Sequence, residues 1–293
     1  MIIRPIVLTA GALALGTTAT AGAAPIPIAN AGFEADFALD GTFPVGPVAD
    51  WLAFDPDTVL GGFANNFTGV INPTGSDCFN QADAPEGRNA ALIFLDNPAS
   101  IGLGPVGLRQ QLGAQLQPNT TYTLIVEVGN IASCAGLPPF DTLGVFDLDG
   151  FPGYAVQVLA GGQVVAEDFN TLADEIPEGE FRTSIVGLVV RDTHPHLNGE
   201  LEIRLINLNL EDTPEAPGVE VDFDDVRLDG APNGLGPCSG ADLNADALIN
   251  AADYAAFRLD LRNTDPGADL IGDPTVDAFD PAALMRASVA GCP

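Results

Sequence analysis

Turn-forming residues interrupt this chain too often for any long helix to survive between residues 26 and 228. Asp40-Gly41, Pro118-Asn119, Gly161-Gly162, Pro177-Glu178-Gly179, Asn198-Gly199 and Pro217-Gly218 each supply residues that accept tight-turn dihedrals. Between them lie about ten short runs rich in Val, Ile, Phe and Tyr. These are Ile26 to Phe33, Ala49 to Phe54, Ala90 to Leu95, Val106 to Leu112, Tyr122 to Val128, Tyr154 to Leu159, Val164 to Phe169, Phe181 to Val190, Leu201 to Leu208 and Val219 to Leu228. Tyr154-Ala155-Val156-Gln157-Val158 and Leu201-Glu202-Ile203-Arg204-Leu205 alternate in a way that gives each strand one buried and one wet face. Many short strands without interleaved helices predict two packed antiparallel sheets, a jelly-roll β-sandwich, over residues 24–229. The 46% of hydrophobic residues is ample for its core, and 33 Gly and 24 Pro serve its turns.

Residues 1–23 read as an export signal. Arg4 gives the positive start, Ile6 to Leu15 the short apolar segment and Ala21-Gly22-Ala23 the small-residue cleavage site. That apolar run is shorter than the roughly 20 residues a membrane-spanning helix needs, and no later segment is longer, so the mature protein is expected outside the cell or at its surface. Export into an oxidising compartment lets the four cysteines pair. Three pairings are possible in principle. Cys78 with Cys134 and Cys238 with Cys292 are expected, because each pair lies within one region. No Cys-x-x-Cys occurs and only His194 and His196 are present, which argues against structural zinc. With 10 basic residues, all arginine, against 40 acidic ones, the net charge is -30, which excludes a nucleic-acid partner and favours divalent cations.

A Gly/Pro-rich stretch without periodicity marks a linker at residues 230–237, and beyond it the pattern turns helical. Ala251 to Leu261 and Pro281 to Val289 carry apolar residues at helical spacing. Each follows a run of oxygen donors: Asp242, Asn244, Asp246, Asn250 and Asp253, then Asp269, Asp273, Asp277 and Asp280. Positions 1, 3, 5, 9 and 12 of a calcium loop want such donors, with the carbonyls of Leu248 and Thr275 at position 7. The pair of loops over residues 238–293 resembles the type I dockerins, a small α-helical EF-hand-like module. The resemblance implies bound calcium and a cohesin-like partner facing Tyr254, Arg258 and Arg262. Ala247 and Pro274 replace the usual glycine, and Ile271 is no ligand, so the second loop is expected to be the weaker.

Asn30-Ala31-Gly32-Phe33-Glu34 and Phe223-Asp224-Asp225-Val226-Arg227-Leu228 resemble the first and last strands of galactose-binding-like jelly rolls, which include carbohydrate-binding modules. That resemblance implies a structural calcium between Glu34 and Asp225. Phe63, Phe67 and Phe79, interspersed with Asn65, Asn66, Asn72 and Asn80, form the expected rim for an extracellular glycan. No Gly-x-Ser-x-Gly, P-loop or His-Glu-x-x-His occurs, and His194-Pro195-His196 reads as a surface loop. The expectation is a secreted, non-catalytic binding protein or, as the alternative, a structural envelope or matrix protein whose calcium sites only stabilise it.

Overall fold

The computed structural model describes residues 24–60, 66–81, 83–96, 104–138, 141–210, 218–232 and 253–258. Its strands are β1 (Ala24–Ile26), β2 (Leu52–Phe54), β3 (Phe67–Ile71), β4 (Ala90–Asp96), β5 (Val106–Gln115), β6 (Thr120–Asn130), β7 (Cys134–Ala135), β8 (Val145–Phe146), β9 (Tyr154–Ala160), β10 (Gln163–Phe169), β11 (Glu180–Val190), β12 (Glu200–Asn207) and β13 (Gly218–Pro232). They build a front sheet ordered β11-β6-β13-β4-β3, with β1 also paired to β13, and a back sheet ordered β10-β9-β12-β5-β2. Among the described residues every strand pairing is antiparallel. Among the described residues no helix is long and apolar enough to cross a membrane.

The period-two patterning places the core. Leu124, Val126 and Val128 of β6 and Val219, Val221 and Phe223 of β13 point inward from the front sheet. They meet Tyr154, Val156 and Val158 of β9 and Leu201, Ile203 and Leu205 of β12, all of them buried. Each such side chain contributes about 1.5–3 kcal/mol through burial. A bulge interrupts β13, where pairing with β6 shifts between Asp224 and Arg227. Asp225 takes a left-handed φ of 48° and the Val226 amide donates to the Ala31 carbonyl at 3.1 Å. The inward positions pass from odd to even numbers there, so Val226 and Leu228 stay in the core.

Several expectations change. The run from Ile26 to Phe33 is strand only through Ile26, because Asn30 and Phe33 adopt φ of 50° and 58° and the Phe33 amide bonds the Asn30 carbonyl at 3.2 Å. β3 and the hairpin β7–β8 were not expected. β13 runs on to Pro232, into the expected linker. The helical C-terminal module is not supported: of residues 238–293 only 253–258 are described, as one short helical stretch with Asp253 and Phe257 buried. Asp242, Asn244, Asp246, Leu248, Asn250, Asp269, Asp273, Thr275, Asp277, Asp280, Cys238 and Cys292 lie outside the described residues, as does the expected signal at 1–23.

Candidate active site

The outer face of the front sheet carries the unusual chemistry. On β13, Glu220, Asp222 and Asp224 alternate with the core residues and so point away from the sandwich. β13 is central in its sheet, flanked by β4 and β6, so these acids have strands on both sides. Glu220 lies opposite Phe94, and Asp222 lies between Leu92 and Gly129.

Two loops roof this face. Cys78, Phe79 and Ala84 from the β3–β4 connection, and Ile131, Cys134, Leu137 and Leu148 from the β6–β9 connection, pack on Ile71, Leu92 and Phe181. A disulfide joins Cys78 to Cys134, with 4.8 Å between their Cα atoms. Phe79 stacks on Phe181 with ring centroids 4.8 Å apart. A second row of rings runs Phe146, Phe43, Phe67 and Phe94, at successive centroid separations of 6.0, 6.2 and 5.1 Å. Gly129 makes room for the wall: a Cβ there would sit 2.6 Å from the Phe181 ring and 3.0 Å from the Asp222 Cβ.

Beneath this roof Asp222 is 0% exposed and neither of its oxygens has a donor, and Glu220 Oε1 has none either. Burial drives the Asp222 pKa well above the ordinary carboxylate range, and the adjacent Glu220 carboxyl pushes it further. Burial also raises Glu220, to about 7. Two carboxylates side by side in an apolar setting repel, whereas a proton between them makes one a donor and the other an acceptor. The pair is therefore a neutral-pH acid, buried beside the Phe94 and Phe181 rings, able to protonate a substrate and to stabilise positive charge that develops over those rings.

The expected calcium pair is arranged differently from the expectation. Glu34 Oε1 accepts the Arg88 and Asn89 amides at 2.6 and 2.7 Å, and Asp225 forms an ion pair with Arg227 at 3.0 Å. Asp224 occupies the buried position instead. One of its oxygens accepts the Glu86 amide at 2.7 Å while Oδ1 is buried and has no partner. Burial raises its pKa to about 8, and the Glu86 and Asp225 charges add to the shift. Among the described residues, the one group of three metal-ligating side chains close enough to share an ion is Asp77, Cys78 and Cys134, and both of its sulfurs are bonded to each other.

The expected glycan rim does not form. Phe67 and Phe79 pack inward against the roofed cluster, Asn66 and Asn72 are buried, and Asn80 ties its loop to Glu178 and Gly179. Phe63 and Asn65 lie outside the described residues. Trp51 is a core plug, 5.5 Å from Phe33, with its indole N–H on the Asn30 carbonyl at 3.1 Å. His194 and His196 sit half-buried on the β11–β12 loop with ring centroids 5.8 Å apart, remote in sequence from the acid pair. The Glu220-Asp222 pair was missed, although acids at every second place of Val219–Asp224 already marked one face of a strand.

The model of the HpiC1 cyclase family, HpiC1-like, matches residues 24–229. A cyclase from Fischerella sp., solved in its apo form, is 35% identical at a TM-score of 0.59, covering 72% of this chain and 97% of that one. A Stig cyclase, Fisc, from Fischerella sp. TAU in complex with (3Z)-3-(1-methyl-2-pyrrolidinylidene)-3H-indole is 37% identical at a TM-score of 0.59, covering 72% and 98%. A cyclase from the same organism in complex with 4-(1H-indol-3-yl)butan-2-one is 36% identical at a TM-score of 0.59, covering 71% and 98%. No curated protein sequence matches the chain.

These likenesses overturn the non-catalytic reading, and with it the galactose-binding-like and dockerin assignments and the glycan and cohesin-like partners. The terminal-strand motifs that suggested a carbohydrate-binding module belong here to a cyclase sandwich. With its whole described sandwich matched by one family model and by cyclase structures more than 30% identical, the chain belongs to the HpiC1 cyclase family.

Proposed function

We propose that this protein is an acid-promoted cyclase acting on an apolar, indole-type substrate, with Asp222 as the proton donor and Glu220 as its partner. The observation that carries the reading is the buried, donor-less Asp222 beside Glu220 under an aromatic roof. The protonated Asp222 carboxyl delivers its proton to a substrate π bond, and the bond to carbon forms as the O–H bond breaks. In the reactive form Glu220 is protonated as well, so its O–H donates a hydrogen bond to the carboxylate left behind, and ring closure ends when the intermediate returns its proton to Asp222, so no net proton is consumed. Phe181, Phe79 and Phe94 exclude water that would otherwise capture the cation, and their faces stabilise it. The indole compounds bound by the two Fischerella sp. TAU cyclases support the substrate class, as does a roofed cluster lined almost wholly by apolar side chains.

Calcium fits the junction of the N-terminal segment with β13 rather than the acid pair. Asp224 Oδ1 is buried without a hydrogen-bond partner, and the Glu86 carboxylate adds negative charge beside it. Asp224 and Glu86, whose amide already bonds the Asp224 carboxylate, would hold the ion, completed by backbone carbonyls and water. Bound there, it would supply charge neutralisation and tie the first residues of the sandwich to its central strand. An exported protein also suits the Cys78–Cys134 disulfide, which persists outside the reducing cytosol.

The deciding experiment compares wild type with Asp222→Asn on indole substrates carrying an unsaturated side chain, with product identity read by mass spectrometry and NMR. Cyclised product from wild type and its loss in a folded Asp222→Asn variant is the expected result. Undiminished turnover by Asp222→Asn would remove the acid from the mechanism.

A further inference from the structure

The acid pair is closed off as well as buried, and the roof that closes it has a covalent seam. The β3–β4 and β6–β9 connections are joined to each other by the Cys78–Cys134 disulfide, by the Ala132 amide on the Cys78 carbonyl at 3.0 Å and by the Ala135 amide on Asp77 at 3.1 Å. All three links fall within two residues of the cystine. Phe79, the next residue after Cys78, lays its ring on Phe181. Phe181 in turn lies across Gly129, in the space next to the Asp222 Cβ. A continuous mechanical path therefore runs from cystine to Phe79 to Phe181 to the acid.

We propose that the Cys78–Cys134 cystine and the Phe79 ring form a latch that positions the aromatic wall over Asp222, and that cleaving the cystine opens the acid to solvent. The inference rests on the acid reading above and adds a way for its access to be controlled. A dithiol reductant supplies the chemistry: the S–S bond breaks, Cys78 and Cys134 each gain a proton as thiols, and the reductant closes into its own disulfide. With the 56-residue separation no longer closed, the hydrogen bonds that join the two connections among the described residues are those of the Ala132 and Ala135 amides. Phe79 then loses the covalent anchor beside it, and the stack on Phe181 loosens while the two sheets, which carry none of this seam, remain intact.

The test reads access directly, without turnover. Full-length protein is treated with a water-soluble carbodiimide and an amine, and coupling at Asp222 is followed by peptide mass spectrometry, in the oxidised protein, after dithiothreitol and in Cys78→Ser/Cys134→Ser. Far-UV circular dichroism and hydrogen exchange of β9 and β12 report the fold alongside. The expected result is slow coupling when oxidised and coupling faster by about tenfold or more when the cystine is cut, with the sandwich unchanged. Phe79→Ala should reproduce the acceleration with the disulfide intact, and Phe79→Tyr should keep the slow rate, which a role limited to overall stability would not distinguish. An unchanged coupling rate after both thiols are shown to be free overturns the latch, as does acceleration that appears only with loss of the β9 and β12 protection. Undiminished turnover by Asp222→Asn would sink the acid reading alone, because the coupling rates are measured independently of it.

Discussion

Two buried aspartates in this sandwich show how partners decide a residue's role. Asp168 accepts the Tyr154 and Ser184 hydroxyls, both at 2.5 Å, and the Thr171 hydroxyl and amide at 2.7 and 3.1 Å. Four donors surround one carboxylate, so it ties the back sheet to β11 and is held for structure. Asp222 accepts from no hydroxyl or amide and has a second carboxyl beside it, so it is held for chemistry. Asp168→Ala should therefore lower stability by about 3 kcal/mol, seen as a lower urea midpoint at unchanged slope, since it strands three hydroxyls and an amide. Asp222→Asn should leave the protein folded with a melt no lower than wild type while turnover falls about 10²–10⁴-fold, the span of a lost general acid. Glu220→Gln keeps a donor beside Asp222 but removes the neighbouring carboxyl that raises its pKa. The alkaline limb of its kcat/KM profile should move to lower pH, which a pH series on both proteins would show.

β13 and β6 are the elements that convert a common sandwich into a site. β13 carries core residues on one face and three acids on the other, and its bulge lets both faces keep their sides. β6 contributes Gly129, whose missing side chain is the floor space for Phe181. Gly129→Ala should cost about 1–3 kcal/mol by overpacking and lower turnover by displacing Phe181 from the acid; a chemical melt and steady-state kinetics on the same preparation would check both. Much of this architecture was legible beforehand. Nine of the ten expected runs hold a strand, three to fifteen residues long, where Val, Ile and Phe recur at period two, because that periodicity follows directly from the pleat. The site was not legible, for a physical reason. Glu220 and Asp222 stand where an exposed sheet face is the normal reading of alternation, and only the two loops covering that face make them buried acids. Those loops are rich in Gly, Pro and Asn, so their sequence reads as solvent-facing turn. Phe67 and Phe79 read as a rim for sugar, yet Phe67, on β3, stacks with Phe43 and Phe94, and Phe79, next to the cystine, stacks on Phe181.

At the scale of the whole molecule, three raised carboxyls on one strand set how stability depends on pH. Glu220 sits at about 7 and Asp224 at about 8 in the folded protein, and Asp222 is raised as well, all mainly by burial. An unfolded chain returns such groups to the ordinary range near 4. Where the folded pKa is the higher one, the stabilisation is complete below the unfolded pKa and is lost as pH rises through the folded value. Between pH 4.5 and 8 the unfolded state binds fewer protons than the folded state, so stability falls over that window, by an amount on the order of several kcal/mol. A formal charge of -30 at pH 7 adds self-repulsion in the same direction. The melting temperature of calcium-free protein should therefore be highest near pH 5 and decline steadily to pH 8. Calcium should reverse much of that decline, and do so unevenly. Binding needs Asp224 ionised, so the ion competes with a proton at pH 5 and meets a ready carboxylate at pH 8. Melts at the two pH values, each with excess calcium and with chelator, would show a calcium-dependent rise that is larger at pH 8. A rise of equal size at both, surviving Asp224→Asn, would place the ion on other carboxylates and remove it from the junction of the N-terminal segment with β13.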